Sequence, residues 1–282
     1  EAEYTNRQLE TYLTYDKTFA DIHHLNVLGG YSYMDNVADG FGATRSGFDT
    51  NAFIYNNLGA GTDYRQGDVY SYKNSCKLIS FYGRVNYGLM DKYMITATVR
   101  RDGSSRFGAD HKWGTFPSVS VAWRIINEKF MEGTHSWLDN LKLRVGYGIT
   151  GNQNGVDPYK SLSVLSSAGA SYYDAATGTW KNSYVQAQNA NPDLKWESTA
   201  QFNVGIDFGF LNRINGSLEF YHKKTSDLLW TYPVPQPPYL VGTMLANVGD
   251  MVNKGVELTL GANIVRTKDF SLSANASLAY NK

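Results

Sequence analysis

The sequence predicts an all-β chain, an arc of about ten antiparallel strands taken from a transmembrane β-barrel. Three observations predict it. Apolar and polar residues alternate with a period of two over stretches of ten or so residues, longer than the average strand of about 5–6 and close to the about 9–11 that a tilted strand needs to cross a bilayer. The links between stretches are short and long in turn, which puts tight turns on one rim of a barrel and large loops on the other. Finally, 27 Gly, 21 Tyr and 13 Phe accompany only 18% charged residues, a mixture common in outer-membrane barrels.

The strands follow in order. Leu9–Asp16, Ile22–Tyr33 and Leu78–Tyr87 are the first three. The fourth sets Tyr93, Ile95, Ala97 and Val99 against Thr96, Thr98 and Arg100. The fifth sets Val119, Val121, Trp123 and Ile125 against Ser118, Ser120 and Arg124, and the sixth Leu141, Leu143, Val145, Tyr147 and Ile149 against Lys142, Arg144, Gly146 and Gly148. The seventh has Phe202, Val204, Ile206 and Phe208 against Gln201, Asn203 and Asp207. Ile214–Lys223 is the eighth; Val256–Ile264 and Phe270–Tyr280 complete the set. Short links fall at Lys17–Asp21, Gly88–Lys92, Gly209–Arg213 and Val265–Asp269, with the intermediate Ile126–Asp139 on the same side. Long loops are expected over Met34–Cys76, Gly103–Trp113, Gly151–Leu194 and Ser226–Asn253.

Alternation alone fits a soluble sandwich as well, since either has one apolar face. The aromatics separate the two. Tyr15, Tyr87, Tyr93, Trp123, Phe208 and Phe270 sit at the short-link ends of the apolar face; Tyr31, Tyr33, Tyr147 and Tyr280 lie toward the other end. Two aromatic belts around an aliphatic band suit two membrane interfaces. Arg84, Arg100, Arg124, Lys142, Arg144, Asp207, Glu219 and Glu257 all take the polar face.

With 26 basic against 26 acidic residues the chain has no field to draw in nucleic acid. Its one cysteine, Cys76, excludes an internal disulfide framework. No metal or cofactor site is expected: His23 and His24 are strand neighbours pointing to opposite faces, and Asp35–Ser46 lacks the closing bidentate Glu of a calcium loop. No catalytic motif is present, so no enzymatic activity is expected. Glu1 opens without a leader and Lys282 follows a strand pattern, so residues 1–282 are expected to be one partial barrel domain of a longer protein.

Arg100–Gly108, RRDGSSRFG, combines turn chemistry with a basic cluster. Arg101 and Arg106 are therefore either contacts to a ligand or parts of a rigid hairpin tip. Tyr232–Tyr239, YPVPQPPY, reads as a stiff, extended polyproline-like segment and a candidate docking surface, with Tyr232 and Tyr239 at its ends. Tyr172, Tyr173, Trp180 and Trp230 fall in long loops, where their rings serve either to stack on sugar rings or peptide side chains, or to pack their own loops.

Five strings taken together carry a family resemblance: Arg101–Gly108 (RDGSSRFG), Trp113–Trp123 (WGTFPSVSVAW), Leu141–Gln153 (LKLRVGYGITGNQ), Asn191–Glu197 (NPDLKWE) and Asn247–Leu258 (NVGDMVNKGVEL). In this order the chain resembles the SusC/RagA family of TonB-dependent outer-membrane transporters of Bacteroidetes. The resemblance implies a barrel of the 22-stranded, plugged class, of which the plug, the first strands and the last strands lie outside this sequence. It implies import of a large nutrient, an oligosaccharide or a peptide, with a SusD-like surface lipoprotein as lid and TonB supplying work from the periplasm. Outer-membrane lipid is then the partner of the apolar face. A passive porin-like barrel or surface adhesin is the alternative, and a secreted β-sandwich lectin a third reading.

Overall fold

In a computed structural model, which describes residues 1–65 and 67–282, the chain is a single curved antiparallel sheet with two small hairpins at one end. The strands are β1 (Ala2–Phe19), β2 (His23–Ala43), β3 (Val69–Leu89), β4 (Tyr93–Ser104), β5 (Trp113–Arg124), β6 (Leu138–Asn152), β7 (Val164–Asp174), β8 (Thr179–Gln188), β9 (Glu197–Phe210), β10 (Ile214–Ser226), β11 (Leu229–Pro233), β12 (Thr243–Asn247), β13 (Met251–Arg266) and β14 (Ser271–Asn281). Ten of them form the sheet in the order β1-β2-β3-β4-β5-β6-β9-β10-β13-β14; β7–β8 and β11–β12 are separate two-stranded hairpins.

Tight turns fix the register on the periplasmic rim. Ala20–Asp21, Met90–Asp91 and Leu211–Asn212 each place two successive residues at φ between 49° and 56°, the mirror-image turn whose twist matches that of paired strands. Each is closed by a bond from the following N–H to the carbonyl three residues back, as from Lys92 to Leu89 at 3.0 Å. The β5–β6 link carries two short 3-10 turns instead. Glu128 ties them down, accepting from the Tyr93 hydroxyl (2.6 Å), the Lys92 ammonium (3.1 Å) and the Trp123 indole (3.1 Å). Those bonds, Tyr93 foremost, hold its carboxyl down at about 2.

Part of the glycine and aromatic content has a common origin. Gly30 is paired with Tyr82, Gly103 with Trp113, Gly216 with Phe208 and Gly255 with Tyr221, each directly across a ladder. A ring lies over the first three bare backbones and the Tyr221 hydroxyl over Gly255: a Cβ on Gly103 would stand 2.9 Å from the Trp113 ring. These cross-strand pairs give a sheet with few buried side chains its lateral packing.

Directly paired residues share a face, so the registers locate the membrane. One outward row runs Phe19, His23, Leu89, Tyr93, Trp123 and another Leu9, Tyr33, Ile79, Gly103, Trp113. The ten steps from Leu89 to Ile79, at about 3.4 Å each and a tilt of about 35–45°, give a height of roughly 24–28 Å, the thickness of an outer-membrane apolar band. Beyond the second row the outward residues turn polar, with Arg7, Asp35 and Lys77 aligned.

Three expectations are corrected. Met34–Cys76 is not one loop: β2 and β3 stay paired from Met34–Leu78 out to Ala43–Val69, well past the membrane, leaving a link between Ala43 and Val69. Gly151–Leu194 and Ser226–Asn253 are not structureless, since they fold into β7–β8 and β11–β12. Tyr232–Tyr239 is not an extended rod. Pro233 pairs with Thr243, Val234 N–H donates to Gly242 O (2.9 Å), and the prolines form the hairpin tip. Ladder bonds to β12 outweigh the intrinsic polyproline preference.

Candidate functional site

All five recognisable strings reach the extracellular mouth. Phe107, Val156, Leu194 and Trp196 form a buried cluster, with Leu78, Phe116, Leu229 and Leu245 packed on it. Trp196 stands 4.8 Å from the Phe107 ring and 5.4 Å, edge-on, from Phe116. Burying each of these side chains is worth about 1.5–3 kcal/mol. Gly108 N–H donates to Leu194 O at 2.9 Å, and any Cβ on Gly108 would run into the Pro192 carbonyl. The Trp196 indole donates to Lys112 O at 3.0 Å.

Asparagines lock the hairpins to this cluster by acting as surrogate backbone. Asn189 donates to Val241 O (2.5 Å) and Thr243 O (3.0 Å), and Asn191 to Leu245 O (2.8 Å). Asn247 accepts from Lys195 N–H (2.9 Å) and donates to Lys195 O (2.8 Å) and Asp227 O (2.9 Å). The result is a folded-in platform over the concave face of the sheet.

Beneath it lies a groove of about 480 Å³, lined among others by Arg100, Phe116, Ser118, Gln153, Asn154 and Trp196. Arg100 is fixed there: Nε lies 2.8 Å from both Asp102 oxygens and Nη2 2.9 Å from Ser80 Oγ, with Asp102 and Ser80 buried. Gln153 Oε1 is buried with no hydrogen-bond partner among the described residues. Nearer the periplasm the same face carries a four-charge network. Arg144 bridges Asp207 (2.9 Å) and Glu219 (3.4 Å), and Lys142 also reaches Asp207 (3.3 Å). Gly205, paired with Arg144, leaves the guanidinium room to lie flat. The surface offers fixed charges, amides and ring faces, which suits holding a polar solute by many weak contacts.

The site residues singled out from sequence do not form one site. Arg106 is spent on structure, donating to Val156 O (2.5 Å) and Cys76 Sγ (3.4 Å). Arg101 shares the outward face with Phe81 and Thr115, its guanidinium 5.6 Å from the Trp113 ring centre, and so points away from the lumen. Tyr173 and Trp180 are cross-strand partners on β7–β8, edge to face at 5.5 Å, with Trp180 63% exposed; Tyr172 pairs with Lys181 on the other face. At that hairpin's tip the Thr177 hydroxyl and Ala176 N–H hold the Asp174 carboxyl below the usual carboxylate range. Trp230, 68% exposed, and Tyr232 share one face of β11, and Tyr239 lies at the tip, donating from its N–H to Pro235 O. Asn191 and Asn247 open two of the strings quoted from the sequence, but the sequence assigns no role to them or to Asn189. The signal that could have found them is the pair of Asn-rich strings around Asn191 and Asn247.

The sequence matches the family model described as TonB dependent receptor-like, beta-barrel, over residues 2–282. It is 38% identical over 280 residues to TonB-dependent receptor P3 of Formosa agariphila, covering 99% of this chain and 27% of that protein. It is 40% identical over 220 residues to TonB-dependent receptor SusC of Bacteroides thetaiotaomicron, covering 77% of this chain and 21% of that one. The chain thus spans a minor part of these relatives. Among solved structures it is similar to the RagAB peptide transporter, with a TM-score of 0.85 at 28% identity over 99% of this chain and 30% of that one. A ferric enterobactin receptor from Pseudomonas aeruginosa shares the fold at a TM-score of 0.62 and 16% identity, over 99% of this chain and 36% of that one. The family model matches all but the first residue of the chain, and relatives of 38% and 40% identity carry the same description: the chain belongs to the TonB-dependent receptor-like β-barrel family of the outer membrane.

Proposed function

We propose that this chain supplies the wall and outer mouth of an active, TonB-dependent, SusC-like importer for a large polar nutrient, an oligosaccharide or a peptide. The observation that carries the reading is the platform built on Phe107, Leu194 and Trp196, folded in over a lumen face that holds Arg100, Arg144, Asp207 and Glu219. A narrowed mouth above a polar, charged wall favours capture of a solute over free diffusion. The name of the RagAB peptide transporter, similar over 99% of this chain, supports a peptide; the exposed rings of Trp180 and Trp230 suit sugar faces equally well.

In this reading the hairpins β7–β8 and β11–β12 capture substrate and receive a SusD-like surface lipoprotein as lid, with Tyr172, Tyr173, Trp180, Trp230, Tyr232 and Tyr239 at those contacts. A plug elsewhere in the protein closes the lumen, and TonB draws it aside. Loop binding energy cannot drive repeated opening, because a bound state with no further input persists. The outer membrane has no nucleotide supply, so the work comes from the inner membrane.

The test is accumulation of labelled oligosaccharides and peptides in cells making the full-length protein, read beside surface binding, with and without an uncoupler. Uptake should stop while binding stays. Uptake at the normal rate after uncoupling would leave a passive porin-like barrel, and binding with no uptake in energised cells would leave an adhesin.

A further inference from the structure

Arg101 is a charged family-string residue on the face away from the lumen. It sits on the outward face at the extracellular limit of the apolar band, where Tyr31, Phe81 and Trp113 form an aromatic ledge with ring centres 5.2 Å and 6.2 Å apart. Its guanidinium is drawn to the Trp113 ring, one rung nearer the rim than its own backbone partner Thr115. This is how a long basic side chain behaves when its stem is in hydrocarbon and its head seeks the interface. Just above, Arg7 and Lys77 point outward in one row, about 10 Å apart across two strand spacings. All three are exposed, and none has an acidic partner within 4 Å among the described residues. The one acid in the row is Asp35, between Arg7 and Lys77, so the patch keeps an excess of two positive charges.

From this we infer that the outer face of β1–β5 carries a binding site for a phosphate-bearing lipid of the outer leaflet, with Arg101, Lys77 and Arg7 on the phosphorylated headgroup and Tyr31, Phe81 and Trp113 against its acyl chains. A guanidinium matches phosphate through paired parallel bonds, and the level of the patch is that of lipid headgroups. A soluble anion would meet the charges and leave the aromatic ledge unused. The lipid uses both.

The experiment takes the full-length protein in non-ionic detergent and measures adducts by native mass spectrometry. The probes are phosphorylated lipid A, the same lipid after phosphatase treatment, and inorganic phosphate. Phosphorylated lipid A should bind, with affinity falling about fivefold for each charge removed in Arg101→Gln and Lys77→Gln, the attraction of one basic side chain to an anionic membrane surface. Arg101→Lys should fall between wild type and Arg101→Gln. Lys254→Gln, which removes a charge on the same face beside His222 of β10, should leave binding unchanged. Heat-modifiable mobility reports folding; if Lys77→Gln loses it, Arg101→Gln carries the comparison. Equal binding by wild type and Arg101→Gln, equal binding of phosphatase-treated lipid, or inorganic phosphate bound as tightly as the lipid would each overturn the site.

Discussion

Replacing Asn247 by leucine should open the mouth of the barrel without unfolding its wall. The Asn247 side chain makes three hydrogen bonds at 2.8–2.9 Å, two to the Lys195 peptide and one to Asp227 O, and so joins the end of β12 to the segment that carries Leu194 and Trp196. Leucine keeps the volume and removes all three. At about 0.5–1.5 kcal/mol each, the loss is about 1.5–4.5 kcal/mol, concentrated on β11–β12 because the ladders of β9, β10 and β13 do not involve this side chain. Hydrogen exchange of the full-length protein in detergent reads this locally. Amides of Leu229–Asn247 and of residues 189–196 should exchange roughly 10- to 1,600-fold faster, at tenfold per 1.4 kcal/mol, while those of β4–β6 keep their protection. Unchanged protection of the hairpin would refute the surrogate-backbone role, and loss of protection throughout would refute its local character.

Val119→Arg should destabilise the full-length barrel in lipid by about 2–4 kcal/mol, because Val119 faces outward near the middle of the apolar band, whereas Ser120→Arg on the lumen face should cost much less in the same denaturant unfolding. Gly30→Val should cost about 1–3 kcal/mol by forcing the Tyr82 ring off the backbone it covers, and Gly30→Val with Tyr82→Ala should cost less than the two single changes added. Glu128, held at about 2 against an ordinary 4.5, contributes stability that is complete above its unfolded value and is lost as pH falls through the folded one. Protection of the amides between Arg124 and Leu138, taken relative to the intrinsic exchange rate at each pH, should therefore be flat from neutral pH down to about 4.5 and fall from there toward 2, with Glu128→Gln lowering it across the neutral range; a midpoint near 4.5 in the native protein would contradict the clamp.

The wall was legible because lipid on one side and water on the other imprint a period of two. Every sheet strand read from the sequence is present in its expected order, and Tyr93–Val99, Val119–Trp123 and Leu141–Ile149 face as the alternation says. Where β2 and β3 leave the apolar band, neither face meets hydrocarbon. Asp35, Asn36, Asp39, Lys73 and Asn74 are then polar on both sides, and pairing held by backbone bonds leaves no pattern to read. The facing of Arg101 is hidden for a smaller reason: the apolar alternation of the fourth strand stops at Val99, although Arg101 has the parity of Val99 and the ladder continues to Ser104. The mouth was hidden for a deeper one. Asn189, Asn191 and Asn247 replace backbone partners across more than fifty residues of sequence, and a side chain acting as backbone has no periodicity.

The chain can line a solute path only if successive residues of β6 look alternately at lipid and at the lumen. Spin labels placed singly at Leu143, Arg144, Val145, Gly146, Tyr147 and Gly148 of the full-length protein in bilayers measure this, through collision with oxygen, which concentrates in lipid, and with a water-soluble nickel chelate. The account predicts oxygen-dominated relaxation at 143, 145 and 147 and higher chelate access at 144, 146 and 148. Loss of that alternation, or odd positions shielded from both reagents as in a sheet packed on another sheet, would contradict it.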